Sequence, residues 1–246
     1  MEDSSKAIVS LSHVSYKSGA LADMGMINKV IQGHNALSLW DLCHSIGVVP
    51  IQLDETKTDL AVGCTYKYLN GGPGSPAFLY VSQHLLNNPS FQSPIGGWWA
   101  QTGQFDFGDE FHPRVGIERF MAGTPPILAL VPLDSSLDMI TEAGIHNIRQ
   151  KSKKLTSYMM DLCERHLTQY DFTIATPKNS DERGSHVSLA HDEAGRISVA
   201  LRQAGVISDH RPPNIVRLGL SPLDTGYVDV LGAVRRLQHI MQTGTY

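Results

Sequence analysis

A lysine stands between a buried-type apolar run and a glycine-rich loop in Tyr66-Lys67-Tyr68-Leu69-Asn70-Gly71-Gly72-Pro73-Gly74. Lysine is seldom buried without a task. One such task is Schiff-base formation, where desolvation lowers the amine pKa and exposes a neutral nucleophile. The glycines let backbone approach a ligand or adopt positive φ. Taken alone, the same stretch also describes a solvated lysine in a tight turn. Asp41 closes a second apolar run, with His44 three residues further on. A carboxylate there can pair with a ring nitrogen or a hydroxyl, although an isolated Asp-x-x-His is more often simple turn chemistry. Arg217, between Val216 and Leu218, offers a planar fork suited to a carboxylate. Pointing outward, it is an ordinary surface arginine. Eleven histidines are scattered without an HExxH or a Cys/His cluster, so no metal site is expected.

The elements that must position these residues read as follows. Ala7–Ser12, Ala36–Trp40, Leu60–Cys64 and Ala77–Val81 are short apolar runs with the character of buried strands. Met24, Ile27, Val30 and Ile31 give Asp23–Gln32 a helical spacing, ended by Gly33-His34-Asn35. Strands with an intervening helix predict an α/β sheet covered on both faces. Ligands of such sheets lie at the carboxyl ends of the strands, where Asp41 and Lys67 both fall. Residues 83–126 are aromatic and loop-rich, without clear periodicity. Helical spacing dominates from Ile127 to about Leu167, with a break expected near Gly144. Beyond it the rhythm changes. Phe172–Ala175, His186–Ala190 and Ile215–Leu220 read as strands, Ala194–Gln203 and Val228–Met241 as helices. The fold class expected is α/β, a partial large domain over 1–145 with a mixed or parallel sheet, then a small α+β domain over 146–246 that includes the connecting helix. Few strands and an immediate start in one lead to the expectation that the large domain lacks its N-terminal part.

Of 246 residues, 41% are hydrophobic and 18% charged, which fits a packed chain rather than a disordered one. A net charge of −4 gives no electrostatic ground for a nucleic-acid or anionic-membrane partner. No apolar run is long enough to cross a bilayer. Met1–Lys6 has no apolar segment of the secretory kind. Cys43, Cys64 and Cys163 are sparse and lack CxxC spacing, as reduced thiols of a cytoplasmic protein would be.

Several stretches together carry a resemblance. Trp40-Asp41-Leu42-Cys43-His44-Ser45 and Asp59 to Gly74 look like the core of a fold-type-I pyridoxal-phosphate enzyme, the second being close to the lysine segment of kynureninases. Pro94-Ile95-Gly96-Gly97-Trp98-Trp99, Gly123-Thr124-Pro125-Pro126-Ile127, and Arg217 before Ser221-Pro222-Leu223 are similar to further landmarks of that family, in order along nearly the whole chain.

The resemblance implies the following roles. Lys67 carries pyridoxal 5'-phosphate and is the catalytic base, and Asp41 pairs with the pyridine nitrogen. His44 lies beside the ring, while Tyr66 and Ser12 bond the phosphate. Trp98 and Thr124 meet the cofactor or substrate near a dimer interface, and Arg217 holds the substrate carboxylate. Tyr66 is also a proton donor or acceptor. It further implies a homodimer that hydrolyses L-kynurenine, or 3-hydroxykynurenine, to anthranilate or its hydroxy form and alanine, in tryptophan catabolism and NAD biosynthesis. Thr124 points to a preference for plain kynurenine. Two alternatives stand beside this: a truncated, non-catalytic relative, and another enzyme of the superfamily such as a cysteine desulfurase. The landmarks around Trp98 and Thr124 speak against the latter. The plainer readings of single residues are core or interface packing for Trp98 and Trp99, turn chemistry for Thr124, and a strand-end serine for Ser12.

Overall fold

A computed structural model describes residues 7–246. The polar stretch Met1–Lys6 lies outside them. The chain opens with β1 (Ile8–Ser12), α1 (Met24–Gly33), β2 (Leu37–Asp41), β3 (Leu60–Cys64) and β4 (Ala77–Val81). Asp23 caps α1 by accepting a hydrogen bond from Met26 N at 2.9 Å, which satisfies one of the amide groups a helix start leaves free. The four strands form one sheet in the order β1-β2-β3-β4. β1, β2 and β3 run parallel, and β4 returns antiparallel to β3. The sheet is therefore mixed, one of the two arrangements expected, and apolarity alone does not set which strand reverses.

Alternation along the strands loads both faces of this sheet. Trp40 and Ala61 pack with Met24 and Ile27 of α1 on one side. Leu39, Leu60 and Val81 face the other side, where Leu85, Phe91 and Phe120 pack. The expected covering on both faces therefore holds at the centre and fails at β1, where Ile8 and Leu11 are exposed. The hydrogen bonds of Asn28 hold α1 to the sheet from within: its Nδ2 donates to Thr58 Oγ1, and its Oδ1 accepts from Trp40 Nε1.

Residues 83–126 contain only a short α2 (Gln83–Leu86) and two 3-10 turns, Trp98–Ala100 and Gly116–Phe120. Two long helices follow, α3 (Ile127–Ala143) and α4 (Ile145–His166), separated by Gly144 at φ 76°. The break expected near Gly144 is thus a single residue in a conformation that glycine adopts freely.

The last part comprises β5 (Thr173–Ile174), β6 (His186–Ala190), α5 (Ala194–Gln203), β7 (Asp209–Arg211), β8 (Ile215–Gly219) and α6 (Tyr227–Thr243). Its antiparallel sheet has the order β5-β6-β8-β7. Helices α4, α5 and α6 bury Leu155, Met159, Leu201, Val234 and Leu237 against Val187, Leu189 and Val216 of that sheet. The opposite face carries His186, Ser188 and Arg217, the latter two directly paired, and it meets the loop between β1 and α1. Ser188 Oγ donates to the Lys17 carbonyl at 2.5 Å, Arg217 Nη1 to the Tyr16 carbonyl at 2.7 Å, and Gly184 N to the Gly19 carbonyl at 2.8 Å. The two sheets are therefore joined largely through backbone carbonyls of one loop.

Candidate active site

The parallel strands end at Ser12, Asp41 and Cys64, so their carboxyl ends lie at one edge. Ser12 and Asp41 are register partners there. Asp41 Oδ1 accepts from Cys43 N at 2.8 Å and so shapes the turn that carries His44. Lys67 follows β3 in a loop pinned at several points. Asn70 N donates to the Lys67 carbonyl and Gly71 N to the Thr65 carbonyl, both at 2.9 Å, while Thr65 Oγ1 donates to the Pro76 carbonyl at 2.5 Å. Tyr68 Oη reaches the second sheet, donating to the Ser185 carbonyl at 3.1 Å. Gly72 and Gly74 have φ of 80° and 79°, so the turn after the lysine needs residues free of Cβ strain.

His44, Lys67, Tyr68, His186, Asp209 and Arg217 line one cavity of about 390 Å³. A slightly larger cavity, about 480 Å³, lies at the opposite end of the strands around Asp54, Asp59 and His84, away from every candidate residue. Position at the strand carboxyl ends and the gathering of chemically apt side chains both favour the former.

Burial, then the nearby Lys67 and Arg217 cations, push His44 down to about 4 against the pull of Asp41. Burial, Arg217 and His44 push His186 down to about 3. Both rings are therefore neutral at physiological pH. Their centroids lie 5.8 Å apart in an edge arrangement. Among the described residues, neither ring nitrogen of buried His186 has a hydrogen-bond partner. Asp209 is pushed up by burial and pulled down more by Arg217 and Arg211, which hold it below the usual carboxylate range. Burial, then the Asp41 hydrogen bond, pushes the Cys43 thiol up to about 12, and burial pushes Cys163 to about 12 as well. Neither thiol is a thiolate nucleophile at neutral pH.

The structure brings His44, Lys67 and Arg217 to one cavity from two sheets, while Asp41, near enough to act on His44, and Ser12 and Tyr66 stand outside its lining. Tyr66 is 53% exposed beside Lys67, whose Nζ lies 5.4 Å from its ring centroid. Ser12 is exposed at the same sheet edge. Trp98 and Thr124 are both exposed and do not line the cavity. Trp98 packs edge-on against Trp99, with ring centroids 5.1 Å apart. Their two segments nonetheless touch: a Cβ built on Gly97 would lie 1.9 Å from the Ala122 carbonyl oxygen. Asp209 and His186 escape the sequence reading. The Asp209-His210-Arg211 strand has no apolar alternation to announce it, and nothing in the sequence marks His186 apart from its neighbours in β6.

A lysine and a carboxylate at adjacent strand ends, with an arginine across the cavity, fit the aldehyde and ring ends of pyridoxal phosphate and the carboxylate of an amino acid.

Comparison with known proteins gives relatives of one kind. Residues 148–237 match the family model described as kynureninase C-terminal domain. The chain is 39% identical over 244 residues to a kynureninase of Pseudomonas fluorescens, covering 99% of this chain and 58% of that protein. It is 40% identical over 241 residues to a kynureninase of Burkholderia mallei, covering 98% of this chain and again 58% of the relative. The chain thus spans well under two thirds of the length of these relatives. Among solved structures, a cysteine desulfurase from Thermococcus onnurineus superimposes with a TM-score of 0.74 at 20% identity, over 96% of this chain and 59% of that one. An alanine–glyoxylate aminotransferase from Nostoc sp. does so with a TM-score of 0.69 at 18% identity, over 96% and 62%. At such identities these likenesses give the fold alone: a mixed α/β arrangement of which this chain holds about three fifths.

Proposed function

We propose, from the premise that this chain is related by sequence to the kynureninases over almost its whole length, that its cavity is the amino-acid end of a pyridoxal-phosphate site cleaving L-kynurenine and 3-hydroxykynurenine. The reaction is hydrolysis of the Cβ–Cγ bond, giving anthranilate or 3-hydroxyanthranilate and L-alanine. The observation that carries the reading is the convergence of His44, Lys67 and Arg217 on one cavity beside the carboxyl end of β2.

When bound, pyridoxal phosphate supplies an electron sink for charge developing at the substrate Cα. Asp41 holds a proton on the ring nitrogen. Lys67 Nζ anchors the cofactor and moves the Cα proton. Arg217 fixes the substrate carboxylate through paired N–H donors. His44 would lie beside the cofactor, and Ser12 and Tyr66 would supply hydroxyl donors for its phosphate. Tyr66 Oη moves a proton in the later steps. Trp98 and Thr124, exposed in the single chain, serve the site from a dimer interface. The apolar surface of Ile127, Leu128 and Val131, all exposed at the start of α3, supports that assembly. Thr124 favours plain kynurenine over its hydroxylated form. The setting is the cytoplasm, in keeping with three free cysteines.

The test is a product assay with the purified chain and added pyridoxal phosphate. Anthranilate from L-kynurenine, with no sulfide from L-cysteine, is the expected result. Sulfide release, or no anthranilate at saturating cofactor, contradicts the reading.

A further inference from the structure

Arg217 is held in a manner that decides which of its edges can meet a ligand. A guanidinium has five N–H donors, and they form two edges suited to a carboxylate, Nε/Nη2 and Nη1/Nη2. In Arg217 the first edge is taken. Nε donates to Asp209 Oδ1 at 3.0 Å and Nη2 to Asp209 Oδ2 at 2.6 Å. The two residues stand directly opposite in the antiparallel β7–β8 ladder, so the backbone register sets their approach. Arg211 Nη2 donates to the same Oδ2 at 2.9 Å and holds the carboxylate as well. Asp209 is therefore anchored three ways, by its strand and by two guanidinium groups.

On the second edge Nη1 is engaged and Nη2 keeps one open proton. Nη1 donates to the Tyr16 carbonyl at 2.7 Å and lies 3.3 Å from His44 Nε2. One Nη2 proton has no partner among these contacts. Of the partners of Arg217, His44 makes the longest contact, is uncharged, and lines the cavity itself. An entering carboxylate can take the free Nη2 proton and the Nη1 proton that faces His44. Asp209 and the Tyr16 carbonyl keep their bonds throughout. The charge balance allows it. Arg217, Arg211 and Lys67 stand against Asp209 and Asp41, so a cation remains for an incoming anion.

We propose that Asp209 is the positioning residue of the amino-acid site: it clamps the Nε/Nη2 edge of Arg217, so that the Nη1/Nη2 edge takes the substrate α-carboxylate in exchange for His44. Without the clamp, the guanidinium gains a second free edge and can turn, and the carboxylate loses its single defined seat. This rests on the reading of Arg217 as the carboxylate anchor, and the experiment separates the two.

Titration calorimetry on the full chain without added cofactor measures binding free of turnover. Two probes are compared, L-kynurenine and kynurenamine, which is the same molecule without the α-carboxylate. Asp209→Asn is expected to weaken L-kynurenine binding by about tenfold or more, the size typical of losing an orienting partner, and to leave kynurenamine binding unchanged. Asp209→Glu restores part of the loss. In the unaltered protein the His44 ring resonances shift with L-kynurenine and stay in place with kynurenamine. Arg217→Gln serves as the reference. If it removes the preference for L-kynurenine while Asp209→Asn does not, the positioning role falls and the anchor stands. If Arg217→Gln leaves the preference intact, or the unaltered protein has none, the anchor reading falls and this inference with it. Equal loss of both probes in Asp209→Asn marks general damage to the cavity and overturns the proposal.

Discussion

Lys67 and Arg217 line one cavity although they stand on different sheets, Lys67 after β3 of the first and Arg217 on β8 of the second. The loop between β1 and α1 makes this possible. Its carbonyls at Tyr16, Lys17 and Gly19 accept hydrogen bonds from Arg217, Ser188 and Gly184. Tyr68, next to the lysine, adds a direct bond to Ser185. The relative placing of amine and guanidinium thus rests on side chains of the second sheet and of Tyr68 that donate to backbone carbonyls, with one backbone bond from Gly184 beside them.

Gly97→Ala tests the contact between the two landmark segments. The added Cβ would meet the Ala122 carbonyl oxygen at 1.9 Å, an overlap with backbone that no rotamer relieves. The expected cost is about 1–3 kcal/mol, the usual range for overpacking, read as a lower urea midpoint. An unchanged midpoint would show that residues 96–99 and 122–124 do not pack together.

Acid should weaken the fold through buried imidazoles. His13 is pushed to about 4 by burial and Arg149, His44 to about 4, and His186 to about 3. Their unfolded values lie near 6.5. Between those limits the unfolded chain binds more protons than the native one, so stability rises with pH there. It is fully present above about 6.5 and lost as pH falls toward about 4. Urea midpoints at pH 7 and pH 5 measure it, and His186→Gln should flatten the dependence. Equal midpoints at the two pH values would contradict these environments.

Arg183 is 1% exposed and forms no salt bridge among the described residues. Its guanidinium donates to Thr156 Oγ1 at 3.0 Å, Ser157 Oγ at 2.6 Å and the Pro177 carbonyl at 3.1 Å, and also to the Lys178 carbonyl. Arg183→Leu strips several buried acceptors at once, each worth about 1–3 kcal/mol when left unmet. Thermal unfolding should show a large loss of stability, and Arg183→Lys should not restore it, since an ammonium cannot reproduce the planar fork. Full rescue by lysine would mean that charge alone matters at this position.

Tyr66→Phe tests the proton-transfer role. Removing a positioned acid–base group typically costs about 10²–10⁴-fold, so kcat should fall by a factor in that range with KM little changed. Normal turnover would assign the 53% exposed Tyr66 to surface contact only.

Much of the scaffold was legible because burial leaves periodic marks. Met24, Ile27 and Ile31 place α1, and the Asp23 cap sets its start. Ala194–Gln203 was readable to its ends because its apolar face stops just before Gly205. Residues 83–126 were not, since their short 3-10 turns complete no amphipathic period. The three-residue β7 left no trace for the same reason, and with it went Asp209. Of the candidate residues, Asp41 at the end of β2 and Lys67 in the loop just after β3 stand where the apolar runs before them predict. What holds Arg217 was hidden, because the three polar residues of β7 carry no apolar alternation from which a register can be read.

The central claim is that Lys67 and its neighbours form a pyridoxal-phosphate site. The most direct measurement is the visible absorption spectrum of the purified chain after adding pyridoxal phosphate, with Lys67→Ala alongside. A band that survives gel filtration in the unaltered chain and is missing from Lys67→Ala is expected. No retained band, or the same band in both proteins, would contradict it.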